Sequence, residues 1–163
     1  DVSIQDISEE VIDLGPVVVD WQEQHFHPGG SVRYRLNVDG KRIIYATDVE
    51  LNLIFSPDSN VPNKEAFAQE YRDFIYEADL LIADGQYTEE EYSAKVGWGH
   101  TSISLLLKIA SQSNVKKLAI FHHDPQHSDK FLDELSMEIR SKYRSQEGEM
   151  EFFWAREGMT LAV

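Results

Sequence analysis

The sequence predicts an α/β fold in which helices pack against one mixed β-sheet. Strand-like segments come first and surround Asp39-Gly40, which is a strong hairpin signal. Helical and strand-like patterns then alternate, as they do when helices join parallel strands. The later strands are continuous apolar runs, which is typical of strands covered on both faces. With 163 residues and neither a linker nor a repeat, residues 1–163 are expected to form a single domain.

The first part of the chain is predicted to be antiparallel. Residues 17–21 form a short apolar strand, and residues 31–38 show the period of two that is typical of a strand. The hairpin signal returns the chain into a third strand at residues 42–47. The packing of residues 1–24 stays open, since they either belong to the domain or lead in from a preceding part. Residues 11–14 fit a strand or a frayed lead-in equally well.

The second part of the chain alternates helices and strands. Apolar residues at spacings of three and four predict helices at residues 63–78, 103–111 and 128–143. Apolar runs predict buried strands at residues 79–85 and 115–121. Two short strands, at residues 150–155 and 159–163, are predicted to close the chain.

The composition excludes several classes of protein. No cysteine is present, so disulfides and thiolate metal ligands are excluded. No apolar run approaches the roughly 20 residues of a membrane span, and no signal peptide is recognised, so a cytoplasmic protein is expected. A formal charge of −14 disfavours nucleic acid as a partner. The acidic residues 89–91 are interpreted as a solvated surface.

Histidine and aspartate side chains collect at the ends of the predicted strands. They are His25 and His27 before the strand at 31–38, Asp48, Asp84, the pair His122-His123, and His100 in a glycine-rich turn. Sites in α/β proteins are usually built at such strand ends and in the loops that follow them. Imidazole and carboxylate without thiolate are the ligands of hydrolytic zinc, manganese or iron sites. Consecutive residues of an extended chain point to opposite faces, so at most one of His122 and His123 faces a given site.

Four segments together resemble the C-terminal half of a metallo-β-lactamase-fold hydrolase. They are "HPGGSVRYRLNVDGKRIIYATDVE", "ADLLIADGQYTEEEYSAKVGWGHTSISLLLKIA", "VKKLAIFHHDPQHSD" and "AREGMTLAV". More narrowly, they resemble the branch that includes ribonuclease Z and the cyclic phosphodiesterases of phosphonate metabolism. The resemblance implies an αββα sandwich, of which this chain is mainly the C-terminal half.

The resemblance also implies a set of functional residues. His27, Asp48 and His122 match metal ligands of a two-metal site, with Asp48 bridging two divalent ions. Zinc is the first expectation for these ions, with manganese or iron as alternatives. Asp84 and His100 match the catalytic pair of the branch, in which His100 protonates the leaving group and Asp84 orients it. Spacing alone does not decide between His25 and His27.

One departure from the family pattern is large. The motif His-x-His-x-Asp-His is absent, and with it the N-terminal half that supplies most ligands. That half is expected in cis or from another chain, and the start at Asp1 favours a fragment of a longer protein. A homodimer is a further possibility. The expected activity is hydrolysis of a small phosphodiester; the alternatives are a non-catalytic binding or assembly domain and a hydrolase of carboxylic esters or lactones.

Overall fold

Seven strands form one mixed sheet at the centre of the computed structural model, which describes residues 11–143 and 150–163. The strands are β1 (Val11–Asp13), β2 (Val17–Gln24), β3 (Ser31–Val38), β4 (Lys41–Ala46), β5 (Leu80–Asp84), β6 (Lys117–Phe121) and β7 (Glu151–Trp154). The helices are α1 (Leu51–Phe55), α2 (Lys64–Ile75), α3 (Glu89–Tyr92), α4 (Ile103–Gln112) and α5 (Asp129–Tyr143). The mixed α/β architecture predicted from the sequence is confirmed.

The strands follow one another across the sheet in chain order. Strands β1 to β4 pair antiparallel, and β4 to β7 pair parallel. The turn between β3 and β4 uses the left-handed conformation at Asp39 and Gly40, with φ of 49° and 74°. Such a turn matches the twist of a two-residue hairpin, which explains why the Asp-Gly signal located it.

One face of the sheet packs against the helices and forms the core. Ile44, Leu81, Leu118 and Ile120 are completely buried on this face. They belong to one cluster with residues of the covering helices, including Tyr71 of α2. Burial of these side chains supplies the main driving force for folding.

The other face of the sheet is apolar but more exposed. The strand register aligns six residues in one row across it: Trp21, Tyr34, Tyr45, Ile82, Ala119 and Phe153. Tyr45 and the nearby Phe121 expose 36% and 37% of their surface. An apolar row of this length is typical of a face on which another layer packs.

Several predicted elements need correction. Residues 159–163 join no strand in the described part of the chain, because β7 pairs there with β6 alone. Residues 89–91 begin helix α3, where Thr88 and Glu91 form a capping box; Glu89 and Glu90 are exposed as predicted, whereas Glu91 is half-buried. Helix α1 was not predicted, since five residues are too few for a clear helical period.

The open question about the first 24 residues is answered in part. Strands β1 and β2 both belong to the sheet, so residues 11–24 are not a frayed lead-in. Residues 1–10 lie outside the described residues. No helix in the described ranges is both long and apolar enough to span a membrane.

Candidate functional site

The predicted site residues lie at one edge of the sheet. Asp48 follows β4, Asp84 ends β5 and His122 follows β6, so all three lie at the carboxyl ends of neighbouring parallel strands. His27 lies in the loop between β2 and β3, and the antiparallel pairing of β3 with β4 brings that loop to the same edge. This edge is where α/β sheets usually bind ligands.

His27 and His122 both approach the carboxylate of Asp48. Their Nε2 atoms lie 3.6 Å and 3.2 Å from Oδ1 of Asp48. Two ligand atoms at the usual distance from a tetrahedral zinc ion lie about 3.3–3.5 Å apart. Each histidine and Asp48 therefore have the separation and the donor types that fit a divalent metal ion held by that pair.

Asp48 is held in place through its main chain and its neighbours. Its φ is 59°, a left-handed conformation that few non-glycine residues adopt. Its N–H donates to Oδ2 of Asp84 over 3.1 Å, and its carbonyl accepts from the hydroxyl of Ser31 over 2.6 Å. The hydroxyl of Thr47 donates to Oδ2 of Asp48 over 2.9 Å. These bonds leave Oδ1 directed at the two histidines.

His100 and Asp84 form a second pair beside Asp48. Nδ1 of His100 lies 2.7 Å from Oδ2 of Asp84, whose side chain is completely buried. Burial opposes the charged imidazolium, but the hydrogen bond and charge of Asp84 outweigh it, so the pKa of His100 is raised above its ordinary value. The pair with Asp84 therefore favours the charged form of the His100 imidazole.

The His100–Asp84 pair has more than one possible chemical role. Oδ1 of Asp84 is buried and has no hydrogen-bond partner among the described residues, as expected for an acceptor that faces a cation. One ligand atom from each of His27, Asp48 and His100 lies within 4.8 Å of the others, and the same holds for Asp84, His100 and His122. The geometry therefore allows His100 to act as an acid or as a further ligand, because histidine ligands often donate their other N–H to a carboxylate.

The other strand-end histidines turn away from Asp48. The ring of His123 lies with Nε2 3.2 Å from the carbonyl of Ala155, and burial lowers its pKa. The ring of His25 packs against Phe67 with the centroids 4.8 Å apart. The structure therefore places His27 and His122, but not His25 or His123, beside the carboxylate of Asp48.

Glu50 is a buried residue near the site that sequence reasoning missed. It is completely buried, and its carboxylate accepts hydrogen bonds from the main-chain N–H groups of Gly97 and Gly99. A charged residue between the apolar Val49 and Leu51 was the signal that could have indicated it, since an unpaired carboxylate is not tolerated in such surroundings.

Comparison with known proteins identifies the fold. No protein-family model matches the sequence, and no curated protein is significantly similar to it. The metallo-beta-lactamase fold protein YhfI from Bacillus subtilis matches with a TM-score of 0.63 and 16% identity, over 97% of this chain and 54% of YhfI. The short form of human tRNase Z (ELAC1) matches with a TM-score of 0.59 and 17% identity, over 96% of this chain and 48% of that one.

A third structure agrees with these two. Unliganded yeast PDE1 matches with a TM-score of 0.63 and 16% identity, over 96% of this chain and 48% of PDE1. The chain thus spans about half the length of the solved structures that it matches. At identities this low, the structural matches establish the fold alone, and the activity has to be argued from the site. The chain has the metallo-β-lactamase fold, over about half the length of these three proteins.

Proposed function

We propose that this chain is part of a metal-dependent hydrolase that cleaves phosphodiesters. The observation that carries the proposal is the approach of two imidazole Nε2 atoms to Oδ1 of Asp48, at 3.6 Å and 3.2 Å, beside the His100–Asp84 pair. His27, Asp48 and His122 would provide ligands for a pair of metal ions. Zinc suits this set best, and manganese or iron also accept imidazole and carboxylate ligands.

The metal ions and the protein residues divide the chemistry. Bound divalent ions supply a nucleophile at neutral pH and offset the negative charge of the phosphate. As a water oxygen bonds to phosphorus and its proton passes to the solvent, the bond from phosphorus to the leaving oxygen breaks, and His100 gives that oxygen a proton. Asp84 accepts the Nδ1–H of His100, which leaves Nε2 as the nitrogen that carries the transferable proton.

Two observations support a phosphodiester, and a small one. One of the similar structures is a tRNase, and ribonucleases cleave phosphodiester bonds. The net charge of −14 repels a long polyanion but does not prevent a small anion from reaching the local charge of the metal ions. A small phosphodiester is therefore the proposed substrate class.

The remaining ligands are proposed to come from a second half of the fold. A zinc site takes about four ligands, whereas His27, Asp48 and His122 provide three donors for what is proposed to be a pair of ions. The apolar row on the open sheet face, with Tyr45 in its middle, suits a second sheet layer packed there. The chain covers about half of each matched structure, which agrees with a second half in cis or from another chain.

The proposal is tested by hydrolysis of bis-p-nitrophenyl phosphate with zinc or manganese added. The assay compares the 163-residue chain with a longer protein that contains the other half. We expect metal-dependent turnover in the longer protein, and loss of turnover in its His27→Ala variant. A metal-loaded longer protein that hydrolyses carboxylic esters but no phosphodiester would contradict the proposed substrate class.

A further inference from the structure

Glu50 lies between β4 and α1 with its side chain completely buried. The N–H of Gly97 donates to both carboxylate oxygens, over 2.8 Å and 3.0 Å, and the N–H of Gly99 donates to Oε2 over 2.9 Å. The hydroxyl of Tyr92 donates to Oε1 over 2.6 Å. These donors are uncharged, and two belong to one turn, so the carboxylate ties residues 97–99 to the segment that follows Asp48.

That turn packs between two residues of the proposed site. His100 follows it directly in the chain. On its other side, a Cβ atom built on Gly99 would lie 2.5 Å from Cδ2 of His27, so the turn contacts the His27 ring. The place of the turn therefore determines how His100 and His27 face each other; their ring centroids are 5.5 Å apart.

The residue after His100 is attached to the same segment. The hydroxyl of Thr101 donates to the carbonyl of Val49 over 2.5 Å and accepts from the N–H of Leu51 over 3.0 Å. Hydrogen bonds from Gly97, Gly99 and Thr101 thus attach the chain on both sides of His100 to residues 49–51. Of these anchors, Glu50 is the one that supplies a negative charge.

We propose that Glu50 is a positioning residue that sets the orientation of His100 for proton transfer. This inference rests on the role proposed above for His100. Glu50 acts through the turn: its two oxygens hold residues 97–99, which His100 follows directly. Without them, Gly97 and Gly99 lose their acceptor, and the turn is free to take up other conformations, because glycine has few conformational restrictions.

The test compares Glu50→Gln with Asp79→Asn in the 163-residue chain. Both changes convert a buried acid into its amide. Asp79 also accepts a main-chain N–H, from Arg42 over 2.9 Å, but it precedes β5 and so lies at the opposite end of that strand from Asp84. The control therefore makes the same chemical change away from His100, at a carboxylate that also pairs with Lys41 and Lys116.

Two measurements by NMR report on position without turnover. The first is the signal of the Nδ1–H proton of His100. We expect a downfield signal that is protected from exchange in the wild-type chain and in Asp79→Asn, and we expect no such signal in Glu50→Gln. The second is amide exchange, which we expect to become faster by about tenfold or more at Gly97 and Gly99 in Glu50→Gln alone, because one acceptor oxygen has become an NH2 group.

The outcomes separate this inference from the proposed function. If the His100 signal and the two glycine amides behave alike in Glu50→Gln and Asp79→Asn, the positioning role is wrong, whatever the activity. If they differ as expected while the longer protein that contains the other half shows no metal-dependent hydrolysis, Glu50 still positions His100 and the proposed function is wrong. If Glu50→Gln does not fold, Tyr92→Phe serves instead, with faster exchange expected at Gly97 and unchanged exchange contradicting the inference.

Discussion

Nε2 of His122 lies 3.2 Å from Oδ1 of Asp48, although the two residues follow strands β6 and β4, with β5 between them. Both residues have a φ of 59°. A left-handed conformation at a non-glycine residue is strained, and such residues cluster at functional sites. The shared conformation directs both side chains over the end of β5, which is where Asp84 lies.

Gly99→Ala is expected to displace His27, and Gly97→Ala is its control. Both glycines have positive φ, 92° and 85°, so alanine costs about 1–2 kcal/mol of stability at either position. A Cβ at Gly99 would also meet the His27 ring at 2.5 Å, whereas one at Gly97 has nothing within 4 Å. The ring signals of His27 should shift by NMR in Gly99→Ala and stay in place in Gly97→Ala; equal shifts would rule out the contact.

In the His100→Ala variant, hydrolysis is expected to slow most for phosphodiesters that have a poor leaving group. Loss of a general acid lowers kcat by roughly 10²–10⁴-fold when the leaving oxygen needs a proton. A nitrophenolate leaves without receiving a proton. The rate of hydrolysis should therefore fall far more for an alkyl phosphodiester than for bis-p-nitrophenyl phosphate. The measurement uses the protein with a complete site. Equal losses on both substrates, together with weaker zinc binding, would assign His100 as a ligand instead.

Asp79 makes the stability depend on pH in the acid range. The hydrogen bond from Lys116, the N–H of Arg42 and the bond from Lys41 lower the pKa of Asp79 from 3.8 to about 2. The unfolded chain then binds the proton more tightly, so the stabilisation is complete above about pH 4 and is lost as the pH falls towards 2. The difference in unfolding free energy between wild type and Asp79→Asn should shrink over that window. A difference that does not change with pH would contradict the assignment.

Lys64→Met is expected to destabilise the loop before α2. Nζ of Lys64 donates to the carbonyls of Ser56, Pro57 and Ser59 over 2.9 Å, 2.9 Å and 2.8 Å. Methionine keeps the length of the side chain but leaves three acceptors without this donor, at a cost of about 1–3 kcal/mol. Urea unfolding measures the loss, with the exposed Lys108→Met as the control. Similar stabilities of the two variants would show that the three bonds contribute little.

The sequence predicted the parts of the site that depend on strand ends. Asp84 ends an apolar strand, Asp48 and His122 each follow one, and parallel pairing brings such strand ends together without further information. Spacing alone left His25 and His27 open, and only the family resemblance selected His27. The packing of His25 against Phe67 of a later helix needed the tertiary structure.

The missed features depend on contacts between distant segments. Glu50 bonds to a turn far along the chain, and no local pattern predicts that a carboxylate will find main-chain donors there. Glu89 and Glu90 are exposed as their charge predicts, but no local pattern indicates that Glu91 accepts from Thr88 and pairs with His127 over 2.7 Å. Residues 159–163 alternate like a strand, but a strand also needs a neighbour to pair with.

The most direct test of the account is zinc binding by the 163-residue chain, measured by isothermal titration calorimetry with two variants. Asp48→Asn removes the proposed shared carboxylate and keeps a residue type that tolerates a left-handed φ. His25→Ala removes a histidine that lies two positions from His27 and packs on Phe67. We predict zinc binding at least about tenfold weaker in Asp48→Asn and unchanged in His25→Ala. Equal binding by wild type and Asp48→Asn would contradict a metal centre at this edge of the sheet.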